Sequence, residues 1–143
     1  MIMDFTKRLN KDRYYKNMKT NKVVEKLINS VQNSLEDMKA VDILSIDVHE
    51  KSSMTDVLFF CTGNSTRHVK SIADAVVIDA KAKDIAVLGS EGRGSAEWVL
   101  VDLNDVIVHV MLQSTRDFYQ LEKLWEPENA TDKSVEEAIS DKG

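Results

Sequence analysis

Apolar positions along the chain change period several times, and each change marks an element. Val23, Val24, Leu27, Ile28, Val31, Leu35 and Met38 recur at the three- and four-residue spacing of one helical face, predicting a helix over 23–38. Glu25 falls in its first turn, where the helix dipole favours an acid. Asp42 to Val48 is rich in Ile, Leu and Val and reads as a strand. Val57-Leu58-Phe59-Phe60-Cys61 is an unbroken apolar run ending at Gly63, as expected of a strand covered on both faces. Asn64, Ser65 or Thr66 then offers a cap for a helix carrying Val69, Ile72, Ala73, Val76, Val77 and Ala80. Ile85 to Gly89 returns as a short strand, so strand, helix and strand imply a right-handed crossover in a partly parallel sheet.

The stretch from Ser90 to Ser95 is polar, with Gly92, Arg93 and Gly94 as loop signals. Trp98 to Leu103 and Val106 to Met111 are β-rich runs on either side of Asn104, which tolerates positive φ, and together they predict a hairpin. Alternation puts Val99, Val101, Leu103, Val106, Val108 and Val110 on one face, an aliphatic core face. The other face carries Trp98, Leu100, Asp102, Ile107, His109 and Met111. Either one of the domain's own helices covers that mixed face, or part of it stays open for a partner, since interface anchors are often Trp or Tyr. Ser114 or Thr115 caps a last helix that turns Phe118, Leu121 and Leu124 or Trp125 to the core and leaves Tyr119 and Glu122 on another face; Pro127 stops it. The whole is one α/β domain, a mixed β-sheet flanked by helices in the order α-β-β-α-β-β-β-α. Residues 1–22 read as a flexible basic arm, 23–126 as the folded domain and 127–143 as an acidic polar tail with one weak helical patch around Val135 and Ile139. Met18, just before the first periodic segment, is an alternative translation start.

Charge changes the picture more than composition does. The arm carries seven Lys/Arg against two Asp/Glu, or +5, and the tail from Glu126 on carries two against six, or −4. Val23 to Trp125 is left at −6, with ten basic and sixteen acidic groups. That sign repels a phosphate backbone, so direct nucleic-acid readout is not expected, and a basic protein surface is the more natural partner. The same charge also serves solubility alone. No apolar run approaches the roughly 20 residues of a membrane span. The N-terminus lacks the apolar segment of a secretory signal, and one cysteine excludes an internal disulfide. Those features together point to the cytosol.

Candidate chemistry is sparse. His49, Cys61, His68 and His109 lack the paired spacing of a zinc site, and Cys61 in an apolar strand reads as a small hydrophobe. Thr62-Gly63-Asn64-Ser65 leads from strand to helix, a geometry that presents backbone N–H groups to phosphate. It lacks the P-loop lysine and the further glycines of a dinucleotide fingerprint. It also resembles the Gly-Ser turn of nucleotidyltransferases, which need two carboxylates two residues apart on a following strand. Asp74 and Asp79 fall instead within the helix, and Asp102 and Asp105 flank a hairpin turn. No catalytic residue, metal or cofactor is expected.

Asp42-Ile43-Leu44-Ser45-Ile46-Asp47-Val48, Thr62-Gly63-Asn64-Ser65-Thr66-Arg67-His68-Val69, Glu91-Gly92, the run from Trp98 to Val110, and Arg116-Asp117-Phe118-Tyr119-Gln120-Leu121-Glu122-Lys123-Leu124-Trp125 resemble, in this order, the ribosomal silencing factors of the Iojap family. The resemblance covers about Val23 to Trp125 and neither end of the chain. It implies a nucleotidyltransferase-like fold without the catalytic carboxylates. It also implies binding to the large ribosomal subunit through a basic ribosomal protein, the fourteenth of that subunit, near the intersubunit face. Small-subunit joining would be blocked and translation lowered when nutrients are short. Family members are often homodimers when free. Carried over by position, Trp98, Asp102 and Tyr119 would contact the partner, with Glu91 and Glu122 as further candidates. Asn104 stands where the family usually has glycine, and asparagine tolerates the same left-handed backbone. Two rival readings remain: a small nucleotide-handling enzyme of the same fold, and a dimeric adaptor for another basic protein.

Overall fold

The computed structural model describes residues 18–125, with side chains from Lys22 onward. The basic segment before residue 18, and the tail with its expected helical patch, lie outside the described residues. In chain order the elements are α1 (Met18–Asp37), β1 (Val41–Asp47), β2 (Val57–Gly63), α2 (Thr66–Ala82), β3 (Gly89–Glu91), β4 (Trp98–Asp102), β5 (Val106–Leu112) and α3 (Gln113–Tyr119). A 3₁₀ turn over Leu121–Trp125 follows. The strands form one mixed sheet in the order β1-β2-β5-β4-β3. Only β2 and β5 pair in parallel; the other three ladders are antiparallel.

α1 begins earlier than its apolar stripe, at Met18 rather than Val23. The stripe is needed only where a helix meets the sheet, whereas ordinary propensity suffices to extend it by a turn. Val24, Leu27, Ile28, Val31 and Leu35 are buried, while Val23 is exposed. α2 starts as expected at a Ser65 cap, whose hydroxyl accepts from the His68 N–H. Both helices pack on one sheet face. There Val57, Phe59 and Cys61 of β2 meet all six aliphatic residues assigned to the hairpin's core face. The hairpin turn uses Asn104 at φ 73°, the left-handed conformation expected of it. Cys61 is buried, and burial pushes its thiol up to about 12, partly offset by the Arg116 charge. It is a core residue.

Two expectations need correction. The strand placed over 85–89 lies instead at Gly89–Glu91, on the sheet edge, where Gly89 pairs with Asp102 and Glu91 with Leu100. Ile85 and Val87 pack against the core from a loop. Apolar content marked the core contact there, but backbone pairing with β4 decides the strand. Because β3 runs parallel to β2 with β5 and β4 between them, the crossover joins parallel strands that are not neighbours. The second correction is the last helix. It stops at Tyr119, its N-cap is Leu112 with no side-chain cap, and Gln120 is left-handed at φ 47°. Phe118, assigned to the core, is 80% exposed, and Leu124 53%. The left-handed residue turns the chain so that, of the residues assigned to the core, Leu121 and Trp125 face the sheet.

Candidate protein-docking face

Among the described residues, the sheet face opposite α1 and α2 is covered in part. Ile46, Val48, Leu58, Phe60 and Met111 are buried there beneath half-buried Leu44, Trp98, Ile107, Leu121 and Trp125. Leu121 and Trp125, from the 3₁₀ turn, thus cover part of the mixed hairpin face from within the domain. Directly opposed residues share a face, so the strand registers lay out its rows. One runs Trp98–Met111–Thr62, the next Glu91–Leu100–His109–Phe60, and a third Asp102–Ile107–Leu58–Ile46.

Trp98 sits at the margin of the covered part. Its indole N–H donates to Nδ1 of His109 at 3.1 Å, and the His109 ring stacks on Phe60 at 4.9 Å and 8°. An Nδ1 that accepts carries no proton, so His109 is the neutral tautomer protonated at Nε2. Burial lowers its pKa from 6.5 to about 4. Unfolded chains bind more protons than folded ones between those values. This contribution to stability is therefore complete above pH 6.5 and is lost as pH falls toward 4, about 3 kcal/mol in all. Urea unfolding at pH 7 and at pH 4.5 measures it. The drop should be smaller by about that amount in His109→Gln, which cannot titrate.

Tyr119, at the end of α3, lies over Trp98 with ring centroids 5.1 Å apart, and Phe118 meets it edge-on at 4.9 Å and 87°. Tyr119 is 52% exposed. The three rings make a continuous, outward-facing aromatic run, with spacings typical of attractive ring pairs.

Of the residues singled out from the chain, Trp98 and Tyr119 are thus brought together. Glu91 is exposed on the edge strand, in the row beside Trp98, and Glu97 is exposed next to it in sequence. Asp102 points to the same face, but four residues along the strand places it about 13 Å away. Its carboxylate accepts from the Asn104 N–H at 2.8 Å, bracing the hairpin turn. Glu122 turns inward to buried Arg116. Asp74 and Asp79, the α2 carboxylates weighed for metal binding, engage Arg93 and the Ser34 hydroxyl respectively. Phe118 joins this face although its spacing assigned it to the core, and Gly92, singled out only as a loop signal and in the Glu91-Gly92 motif, shapes the entry into β4. Gly92, at φ 91°, lies where a Cβ would stand 2.0 Å from the Trp98 carbonyl oxygen. Nothing in the local pattern marked Phe118 as exposed.

An exposed aromatic cluster beside acidic side chains has the make-up of a protein-docking surface. The model of the family described as "Ribosomal silencing factor during starvation" matches residues 21–142. This chain belongs to that family. The ribosomal silencing factor RsfS of Haemophilus influenzae is 41% identical over 99 residues, 69% of this chain and 97% of that protein. A crystal structure from Chromobacterium violaceum matches with a TM-score of 0.70 at 40% identity, covering 71% of this chain and 84% of that one. A more distant mouse relative, named mitochondrial assembly of ribosomal large subunit protein 1, is 34% identical over 89 residues, 60% of this chain and 39% of that protein.

Proposed function

We propose that this chain silences ribosomes by occupying the large subunit. It docks through a basic large-subunit ribosomal protein at the intersubunit face and, by standing there, keeps the small subunit from joining when nutrients are short. The observation that carries the reading is the outward-facing run of Trp98, Tyr119 and Phe118. Trp98 and Tyr119 are the anchors, Glu91 is the acidic side chain beside them, and Asp102 is a further contact about 13 Å along β4. Family membership supports the function, and the mouse relative's name supports the choice of subunit. Occlusion requires neither turnover nor a cofactor. Away from the ribosome the same apolar patch favours pairing, so the free chain is a homodimer.

The test is co-sedimentation of the protein with purified large subunits, followed by addition of small subunits. The protein should pellet with the large subunit and reduce joining in proportion to its occupancy; failure to pellet defeats the reading. Electrostatics adds an independent check. A domain at −6 meeting a basic surface should associate faster at low ionic strength and slow as salt reaches about 0.15 M, where the Debye length is about 8 Å. Stopped-flow mixing with the isolated ribosomal protein measures it. An unchanged rate would mean that the acidic side chains steer nothing.

A further inference from the structure

Arg116 is buried, 8% exposed, on the short helix that carries Tyr119. One terminal nitrogen of its guanidinium donates to the Asp42 carbonyl at 2.7 Å and to the Thr62 hydroxyl at 3.1 Å. Nε donates to a Glu122 carboxylate oxygen at 3.3 Å. Three segments distant in sequence therefore meet on one planar cation, a task suited to a guanidinium's rigid array of donors and not to a lysine's single nitrogen. Thr62 pairs with Met111, and Met111 with Trp98, so Arg116 is fixed to the same cross-strand row that Trp98 begins.

Glu122 does not have the environment of a steering charge. Its side chain is 17% exposed, and its second carboxylate oxygen is buried with no hydrogen-bond partner among the described residues. A partner's cation would reach it only by opening the turn. Tyr119 lies between the two members of the pair, three residues from each, and the left-handed Gln120 closes the loop by donating its N–H to the Arg116 carbonyl at 2.8 Å.

From this geometry we infer that Arg116 and Glu122 form an internal clasp that positions Tyr119 against Trp98, and that Glu122 acts on binding through the clasp instead of touching the partner. The inference rests on the docking role proposed for the two aromatic residues. Arg116→Lys removes the multi-point anchor. Glu122→Gln keeps the shape but removes the charge that balances Arg116, and it provides the test should the first variant fail to fold. Val108→Ala, in the core on the other sheet face, serves as a control for general loss of stability.

In the free chain, nuclear Overhauser contacts between the Trp98 indole and the Tyr119 ring report the positioning directly. They should be lost or strongly reduced in both clasp variants and kept in Val108→Ala. On immobilised large subunits, the clasp variants should dissociate about tenfold faster, while the dependence of association rate on salt stays as in the wild type. Persistence of the ring contacts in both variants overturns the clasp. So does a flattened salt dependence in Glu122→Gln with the contacts intact, which would make Glu122 a direct contact. If Trp98→Ala binds subunits as the wild type does, the docking role falls, yet the ring contacts in the free chain still decide whether the clasp exists.

Discussion

Truncating Tyr119 to alanine weakens binding to large subunits roughly thirtyfold or more, the effect of losing about 2 kcal/mol at an aromatic anchor. Trp98→Ala should do the same, but the two variants differ in what else they disturb. Tyr119 is 52% exposed and its ring packs on Trp98 and Phe118 at the surface, so its removal should shift folding stability by no more than about 1 kcal/mol. Trp98 packs over the small core of Phe60 and Met111 and donates a hydrogen bond to His109. Its loss leaves His109 without that donor and opens space beneath, at a cost of about 2–3 kcal/mol in stability. Thermal unfolding and subunit binding are therefore measured on each variant together. If Tyr119→Ala stays folded and still blocks joining at wild-type concentrations, the aromatic run is not the docking site.

Gly92→Ala is expected to be the most destabilising single-methyl change in the domain. Its φ of 91° is strained for any residue with a Cβ, and the added carbon would stand 2.0 Å from the Trp98 carbonyl oxygen. Backbone lies on both sides of the clash, so the entry into β4 must move. The expected cost is about 3 kcal/mol or more. For a domain of this size that lowers Tm by about 12 °C or more. Gly94, two residues on, has no atom within 4 Å of where an added methyl would stand, and no positive φ. Gly94→Ala should change stability by no more than about 0.5 kcal/mol. Equal Tm values for the two variants would show that the close approach at Gly92 is not what holds the Trp98 end of the strand.

The tight turn at Gly92 shows where local pattern stops being informative. A glycine between polar residues marks a loop, but the need for it comes from the carbonyl of a residue six positions later. By contrast, the α2 cap at Ser65, the buried run of β2, the alternation of the hairpin and the left-handed Asn104 are all set by interactions within a few residues. Those elements were legible because their causes are local: helix and strand periods, a hydroxyl facing a free N–H, a side chain that tolerates positive φ. Two of the motifs that carry the family resemblance, Thr62 to Val69 and Trp98 to Val110, lie on the same elements.

Other features have causes far apart in the chain. β2 takes β5 as its parallel neighbour, and β3 is defined by β4, because pairing depends on which apolar faces pack together and not on order along the chain. Gln120 carries no preference strong enough to announce a left-handed turn. It adopts one because Arg116 is drawn to Asp42 and Thr62 while Leu121 and Trp125 fold onto the sheet. That turn sends Phe118 outward and Glu122 inward, the reverse of what continuous helical spacing implied. The sequence by itself determined the elements, the main core face and the aromatic residues available for docking. Only the tertiary structure decided which of them meet and which stay in solvent, because burial and long-range hydrogen bonds outweigh the small propensities that a local pattern records.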